Sequence, residues 1–179
     1  MADTSHPSSG PGNPPGRGER SGASADDSYL APYRKAVESF GASFESTLWA
    51  SRRWQRVRFA VACDMQDMTG RVVMDAGSGL GGFAEYLRDV GVNYARYVGL
   101  EGVPEMTEKS ASLHLPRASF HHVDFAADPD AFTTGVAEST GVRGGRPDVI
   151  IFSGSLNTFT MEAAQPILAR AWDACNESL

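Results

Sequence analysis

The sequence predicts an α/β fold in which a mostly parallel β-sheet lies between two layers of helices. Strands and helices alternate from residue 69 onwards, which predicts parallel strands joined by right-handed crossovers. The runs VVM at 72–74 and VIIF at 149–152 are continuously apolar, as in strands that are covered on both faces. A glycine-rich turn also stands between the first strand and the helix that follows it.

The chain divides into three segments by composition. Residues 1–27 are mainly Ser, Gly, Pro, Ala and charged residues, so we expect a disordered tail that buries too little surface to offset its ordering entropy. Residues 28–68 carry apolar side chains at mostly helical spacing, with a break at Gly41, and predict two or three N-terminal helices. Residues 69–179 would form the α/β domain.

Four strands and four helices are predicted in the third segment. The strands are expected at residues 71–76, 95–101, 118–125 and 148–153. The first helix presents Phe83, Leu87 and Val90 on one face, and the second begins at Pro104, where a missing N–H has no intrahelical partner to lose. A short helix over 129–138 and a last helix that presents Ile167, Leu168, Ala171, Trp172 and Cys175 complete the order βαβαβαβα.

Composition and charge exclude several classes of protein. A net charge of −6 disfavours broad attraction to phosphate backbones, so we expect no nucleic-acid partner. No apolar stretch is long enough to cross a bilayer and no secretory signal is recognisable, which predicts a cytoplasmic protein without a membrane partner. Cys63 and Cys175 lack metal-ligand spacing and are predicted to be buried reduced thiols. We expect no metal site.

The glycine-rich turn predicts a ligand that approaches the backbone closely. Gly77, Gly79 and Gly82 also satisfy the spacing of a dinucleotide-binding turn, so a nicotinamide cofactor is an alternative. Asp75 separates the two readings, because a carboxylate at this position would lie near the anionic pyrophosphate of a dinucleotide but would attract a cationic cofactor. Asp75 therefore favours a cofactor that carries positive charge.

Residues 75–81 resemble motif I of the class I, Rossmann-like methyltransferases that use S-adenosylmethionine. The motif is an acid, any residue and then Gly-x-Gly-x-Gly, which corresponds here to Asp75, Gly77, Gly79 and Gly81, with Ser78 as the small residue between the first two glycines. The resemblance implies S-adenosylmethionine as the cofactor and methyl transfer as the reaction. It also implies a Rossmann-like sheet with the strand order 3-2-1-4 for the strands present.

The resemblance continues beyond the turn and implies an adenosine-binding set. Glu101 ends the second strand where a carboxylate can accept from both ribose hydroxyls, a role that a dinucleotide would share. Gly102 follows it, and Met106 is implied to pack on the adenine, unless it belongs only to a well-capped surface helix. Asp124 is implied to accept from the adenine amino group, unless it is a helix cap or loop acid, and Phe125 to contact the ring.

Three further residues are candidates at the methionine and acceptor side. Ser153 follows the fourth strand and is expected to line the methionine side of the pocket. Arg58 matches a position where some members of the family bind the cofactor carboxylate, although neighbouring arginines also allow a merely basic helix face. Asn157 faces either the substrate or solvent. No catalytic residue is identifiable from the sequence.

The chain departs from the family at its end, because methyltransferases of this class have seven strands in the order 3-2-1-4-5-7-6 and strands 5 to 7 are absent here. Strand four would be an apolar edge, which predicts either a longer natural chain or self-association through this strand. The Asn/Asp-Pro-Pro-Tyr motif of amino-methylating enzymes is also missing, since residues 153–156 occupy its place, and this favours a small-molecule acceptor. An NAD-dependent oxidoreductase domain and a degenerate S-adenosylmethionine-binding module remain alternatives.

Overall fold

The computed structural model describes residues 29–133 and 146–175. Four strands form one sheet within these residues. They are β1 (Val72–Ala76), β2 (Arg96–Glu101), β3 (Ala118–His122) and β4 (Val149–Ile151). Their order is β3-β2-β1-β4 and all three pairings are parallel. The predicted fold class, strand order and strand direction are therefore confirmed.

Helices precede the sheet and connect its strands. They are α1 (Ala31–Phe40), a 3-10 helix (Phe44–Thr47), α2 (Arg52–Met65), α3 (Gly82–Asp89), α4 (Pro104–Ala111) and α5 (Met161–Ala174). The predicted break at Gly41 is confirmed, because this residue ends α1 with a φ of +67°. The Ser51 hydroxyl caps α2 by accepting a hydrogen bond from the backbone N–H of Trp54.

The core consists of two apolar clusters, one on each face of the sheet. Every residue of β1 is buried. Its side chains alternate, so that Val73 packs with Phe59 of α2 and Phe83 of α3, whereas Met74 belongs to the cluster that contains Ile167 of α5. Helices therefore cover both faces of the sheet, which explains why the central strand is continuously apolar.

Several element boundaries differ from those predicted. β3 ends at His122 instead of residue 125, because Asp124 Oδ1 accepts hydrogen bonds from the N–H groups of Ala126 and Ala127 and turns the chain. β4 is limited to Val149–Ile151. Of the helix predicted over 129–138, only a helical turn at 131–133 belongs to the described residues. The tail predicted over 1–27 lies outside them.

The outer side of β4, the lengths of the helices and the burial of the two cysteines bear on the remaining predictions. Among the described residues, β4 has no strand on its outer side. No helix in this part of the chain combines the length and the apolarity needed to cross a bilayer. Cys63 and Cys175 are free thiols that are half-buried, so the prediction that both are fully buried is wrong. Both lie at the margin of the core, where one side of each residue reaches solvent.

Candidate functional site

A cavity of about 800 Å³ lies at the carboxyl ends of β1, β2 and β4. Ligands of open α/β sheets bind at this edge, and small-molecule sites span roughly 300–1,000 Å³. Its wall combines the glycine-rich turn, the end of β2, the loop after β4 and residues from the N-terminal helices. The cavity therefore has the position and the size of a cofactor site.

The glycine-rich turn is held by contacts that only glycine allows at residue 77. Gly77 has a φ of +85°, and a Cβ at this residue would lie 2.3 Å from the Cβ of Ser155 in the loop after β4. The N–H groups of Gly77 and Ser78 both donate to the carbonyl of Leu100, over 2.8 and 2.9 Å. The turn is thereby fixed to β2 on one side and to the loop after β4 on the other.

Glu101 lies at the end of β2 with both carboxylate oxygens held by backbone N–H groups. Oε2 accepts from Gly79 over 2.8 Å and Oε1 from Val103 over 2.9 Å. Burial raises the pKa of Glu101, and its hydrogen bonds from the backbone partly oppose that rise. A carboxylate oxygen has two lone pairs, so each oxygen can accept one further hydrogen bond from a ligand.

Asp75 lies at the end of β1 and is 2% exposed. Its Oδ2 accepts a hydrogen bond of 2.5 Å from the hydroxyl of Tyr97, whereas its buried Oδ1 has no hydrogen-bond partner among the described residues. Burial raises the pKa of Asp75 to about 7, the Tyr97 hydrogen bond acts in the opposite direction, and Glu101 contributes a smaller upward effect. Two buried acids at neighbouring strand ends favour a ligand with positive charge.

Polar groups on the other parts of the wall are also without partners in the described structure. The hydroxyls of Ser78 and Ser153 are buried and have no hydrogen-bond partner there. Arg58 lies on the opposite wall, with its guanidinium carbon 4.9 Å from the centre of the Trp49 ring. Its Nη1 is 3.6 Å from where a Cβ at Gly154 would be, so Arg58 reaches the loop after β4.

Most of the predicted cofactor residues meet at this cavity. Its wall includes Arg58, Asp75, Gly77, Ser78, Gly79, Glu101, Gly102, Met106, Phe125 and Ser153, together with the predicted substrate-facing Asn157. Met106 is 1% exposed, lies on the inner face of α4 and packs in the core as well as lining the cavity. Gly102 is buried under the side chain of Leu30.

Two predicted cofactor residues do not reach the cavity wall. Gly81 faces the packing between helix and sheet, where a Cβ would lie 2.9 Å from Leu113 and 3.1 Å from Phe120. Asp124 lies behind Tyr29, whose hydroxyl donates to Oδ1 over 2.5 Å. The same oxygen accepts the two backbone N–H groups that turn the chain after β3, so the structure gives Asp124 the capping role that the sequence left as an alternative.

The N-terminal segment contributes to the cavity wall, which was not predicted from the sequence. Leu30 covers Gly102, and a Cβ at residue 102 would be only 2.8 Å from Leu30 Cδ1. Tyr33, Phe44 and Trp49 also line the cavity. Their aromatic side chains are part of the predicted helical segment, but helical spacing alone does not indicate which sheet edge a segment covers. The N-terminal helices form a cap over the cavity.

Tyr97 was also missed, although the sequence contains a signal for it. The residue interrupts an otherwise apolar strand, and a buried tyrosine hydroxyl normally finds a hydrogen-bond partner. Among the described residues, no group of three His, Cys, Asp or Glu side chains could hold a metal ion.

Solved structures with a similar fold include methyltransferases. One is phosphoethanolamine N-methyltransferase 1 of Haemonchus contortus, in complex with phosphoethanolamine and S-adenosylhomocysteine, at 14% identity and a TM-score of 0.60. A second is DhpI in its SAM–HEP complex, at 17% identity and a TM-score of 0.59. A third is the plantazolicin methyltransferase BpumL in complex with SAH, at 16% identity and a TM-score of 0.52.

The similarity covers most of this chain but only part of those proteins. Each match covers 84% of this chain, and 30%, 61% and 52% of the respective neighbour. No protein-family model and no curated protein matches the sequence. At these identities the likeness concerns the fold. The chain has the Rossmann-like fold of the class I methyltransferases.

Proposed function

We propose that the cavity binds S-adenosylmethionine and that this chain is the cofactor-binding part of a methyltransferase. The observation that carries the proposal is the pair of buried carboxylates, Asp75 and Glu101, at neighbouring strand ends beside the glycine-rich turn. A ligand that has ribose hydroxyls at one place and positive charge at another matches these two groups. S-adenosylmethionine has both.

The hydrogen bonds of the turn argue against a dinucleotide. A pyrophosphate needs free backbone N–H groups where the turn meets the helix. The N–H groups of Gly77 and Ser78 are used by Leu100, and that of Gly79 is used by Glu101. A pyrophosphate could therefore not use the N–H groups of residues 77–79 and would lie next to two acids, which makes the NAD-dependent oxidoreductase the weaker alternative.

The adenosine half of the ligand is assigned to the β2 side of the cavity. Glu101 would accept from the two ribose hydroxyls with the lone pairs that its backbone bonds leave open. Met106 and Phe125 contribute apolar wall on the same side and would contact the adenine. Asp124 is not needed for this arrangement, since it lies behind Tyr29.

The methionine half is assigned to the space between Asp75, Ser153 and Arg58. Asp75 would face the positive charge of the ligand. The unpartnered Ser153 hydroxyl would bind a polar group, and Arg58 would bind the carboxylate, which a guanidinium can hold with two N–H groups. These three groups belong to β1, the loop after β4 and α2, so the fold has to bring them together.

Methyl transfer from a sulfonium needs little chemistry from the protein. The bound cofactor supplies an electrophilic methyl group, whose C–S bond breaks with its electron pair on sulfur as the acceptor forms its bond. The protein contributes orientation and exclusion of water, which can supply several kcal/mol. We place the acceptor between the cofactor and the N-terminal cap, where Asn157 and Trp49 line the cavity. The cavity of about 800 Å³ has to hold both the cofactor and the acceptor, which favours a small molecule as the acceptor.

Calorimetry tests the cofactor assignment directly. We expect the chain to bind S-adenosylmethionine and S-adenosylhomocysteine and not to bind NAD. Binding of NAD without S-adenosylmethionine would overturn the proposal. Transfer of labelled methyl groups to small-molecule extracts then separates an enzyme from a degenerate binding module, which would bind the cofactor but transfer nothing.

A further inference from the structure

The hydroxyl of Tyr97 is buried in the core beneath the cofactor cavity. Tyr97 lies in β2 opposite Val73 of β1, two residue pairs before Asp75 and Gly99 and therefore on the same face of the sheet. It is fully buried, and its hydroxyl donates to Asp75 Oδ2 over 2.5 Å. Gly99 lies beside them in β2, and a Cβ there would be only 2.5 Å from Phe120 Cδ1 and 2.8 Å from Ser78 Oγ, so this face is closely packed.

The ring of Tyr97 is held on several sides by aromatic side chains. Ring centres lie 5.8 Å from Tyr94, 5.8 Å from Phe120 and 6.4 Å from Phe83. A ring packed in this way has little freedom to rotate, because interiors are close-packed and a tyrosine hydroxyl moves only with its ring. The position of the hydroxyl is therefore fixed by the core and not by the cavity.

This hydrogen bond sets both the orientation and the charge of Asp75. With Oδ2 engaged by Tyr97, the other oxygen, Oδ1, has no partner among the described residues, and Asp75 belongs to the cavity wall. A hydroxyl that donates to a carboxylate stabilises the ionised form, which burial disfavours. Without this donor the pKa of the buried acid would rise further, so that a smaller fraction of Asp75 would be ionised at neutral pH and able to attract a cation.

We propose that Tyr97 is a positioning residue that favours the ionised form of Asp75 and aligns its carboxylate toward the positively charged end of S-adenosylmethionine. The inference rests on the proposed function, since it concerns the cofactor of that same site. Tyr97 does not itself line the cavity and acts only through Asp75. Tyr97, a core residue, would thus support Asp75, the binding residue on the same face of the sheet.

Few titratable groups act on this pair. Glu101 at the end of β2 faces Asp75 and opposes its ionisation, and His122 on β3 acts on Glu101. Tyr94 faces Tyr97 from the loop before β2, but its hydroxyl donates to the carbonyl of Pro116 over 3.0 Å. Tyr94 is therefore a matched control, because it belongs to the same aromatic cluster and has no contact with Asp75.

The test compares Tyr97→Phe with Tyr94→Phe in the full chain. Affinity for S-adenosylmethionine is measured by calorimetry between pH 6 and pH 9. We expect Tyr97→Phe to weaken binding about tenfold at pH 7, the range for a hydrogen bond to a charged group. The loss should shrink toward pH 9, because alkaline solution ionises Asp75 without the help of the hydroxyl. Tyr94→Phe should follow the wild-type profile.

Two further measurements separate positioning from damage to the fold. 5′-Methylthioadenosine has the same adenosine part without the charged amino acid, so its affinity should be equal in the wild type and in Tyr97→Phe. In an Asp75→Asn background, Tyr97→Phe should add no further loss of affinity for S-adenosylmethionine, since the residue through which it acts is already neutral.

The outcomes distinguish failure of the positioning role of Tyr97 from failure of the proposed function. A loss for Tyr97→Phe that is independent of pH, or that appears equally with 5′-methylthioadenosine, overturns the positioning role and indicates a general defect of packing. An additive loss in the Asp75→Asn background overturns it as well. Failure of the wild type to bind S-adenosylmethionine at all would instead refute the proposed function.

Discussion

The backbone N–H of Gly79 donates a 2.8 Å hydrogen bond to Oε2 of Glu101, which joins the turn after β1 to the end of β2. The hydrogen bond links the glycine-rich turn to the acid at the end of the second strand, the two sequence features on which the proposed cofactor site depends. It also orients the carboxylate before any ligand arrives. A pre-organised acceptor loses less conformational entropy on binding than a free side chain, which favours affinity.

Glu101→Gln should weaken binding of S-adenosylmethionine by at least about tenfold, since hydrogen bonds to a charged group are lost. An amide has a single acceptor oxygen, so one of the two backbone N–H groups now at Glu101 would face an NH2 group. Calorimetry measures the change. Glu108→Gln on the exposed side of α4 is the matched control and should bind normally. Unchanged affinity in Glu101→Gln would remove this residue from the site.

Gly77→Ala and Gly91→Ala should differ in stability. Both glycines have positive φ, +85° and +76°, but a Cβ at residue 77 would overlap Ser155, whereas nothing lies within 4 Å of one at residue 91. We expect a loss of about 1 kcal/mol for Gly91→Ala from backbone strain alone and about 2 kcal/mol more for Gly77→Ala from the overlap. Urea unfolding measures both. Equal losses would contradict the contact with the loop after β4.

Stability of the unliganded protein should fall as pH rises toward neutrality because of Asp75. Its folded pKa of about 7 lies above the ordinary aspartate value of 3.8, so the folded state binds the proton more tightly. The stabilising contribution is complete below the unfolded pKa and is lost as pH rises through about 7. Thermal unfolding at pH 5.5 and 8 measures this difference. In Asp75→Asn the difference should be smaller, and an identical difference would show that another group is responsible.

Arg58→Ala should weaken S-adenosylmethionine binding about tenfold through loss of charge-assisted hydrogen bonds to the ligand carboxylate. 5′-Methylthioadenosine has no carboxylate, so its affinity should not change. Arg53→Ala is the matched control, because Arg53 lies on the same helix, is exposed and is not part of the cavity wall. Equal losses for both ligands would mean that Arg58 supports the cavity wall through Trp49 and does not bind the carboxylate.

Much of the fold could be predicted because its signals are local. The apolar run at 72–74 indicates a strand covered on both faces, and the glycines after it allow the positive φ angles that the turn adopts. Asp75 and Glu101 could be identified as candidate binding residues from their spacing in the sequence relative to the glycine-rich turn. Each of these predictions depends on a few neighbouring residues.

The roles of Gly81 and Asp124 could not be predicted in the same way. Gly81 has the positive φ of the turn, but its open side faces Leu113 and Phe120, which are distant in sequence. Asp124 follows β3 as the motif requires, yet its carboxylate accepts a hydrogen bond from the hydroxyl of Tyr29 in the N-terminal cap, and Tyr29 lies between it and the cavity. In both cases contacts with residues that are distant in sequence determine whether the residue reaches the cavity.

The amino-acid sequence by itself determined the parallel α/β class and the pairing of a glycine-rich turn with two acids, because periodicity and turn chemistry are properties of short segments. The strand order was implied by the family resemblance of residues 75–81. Only the tertiary structure decided which groups act on those acids. The parallel register places Tyr97 on the same face as Asp75, so that a core hydroxyl reaches a carboxylate of the cavity wall. A hydrogen bond between strands depends on register, and register is set by the packing of the whole sheet.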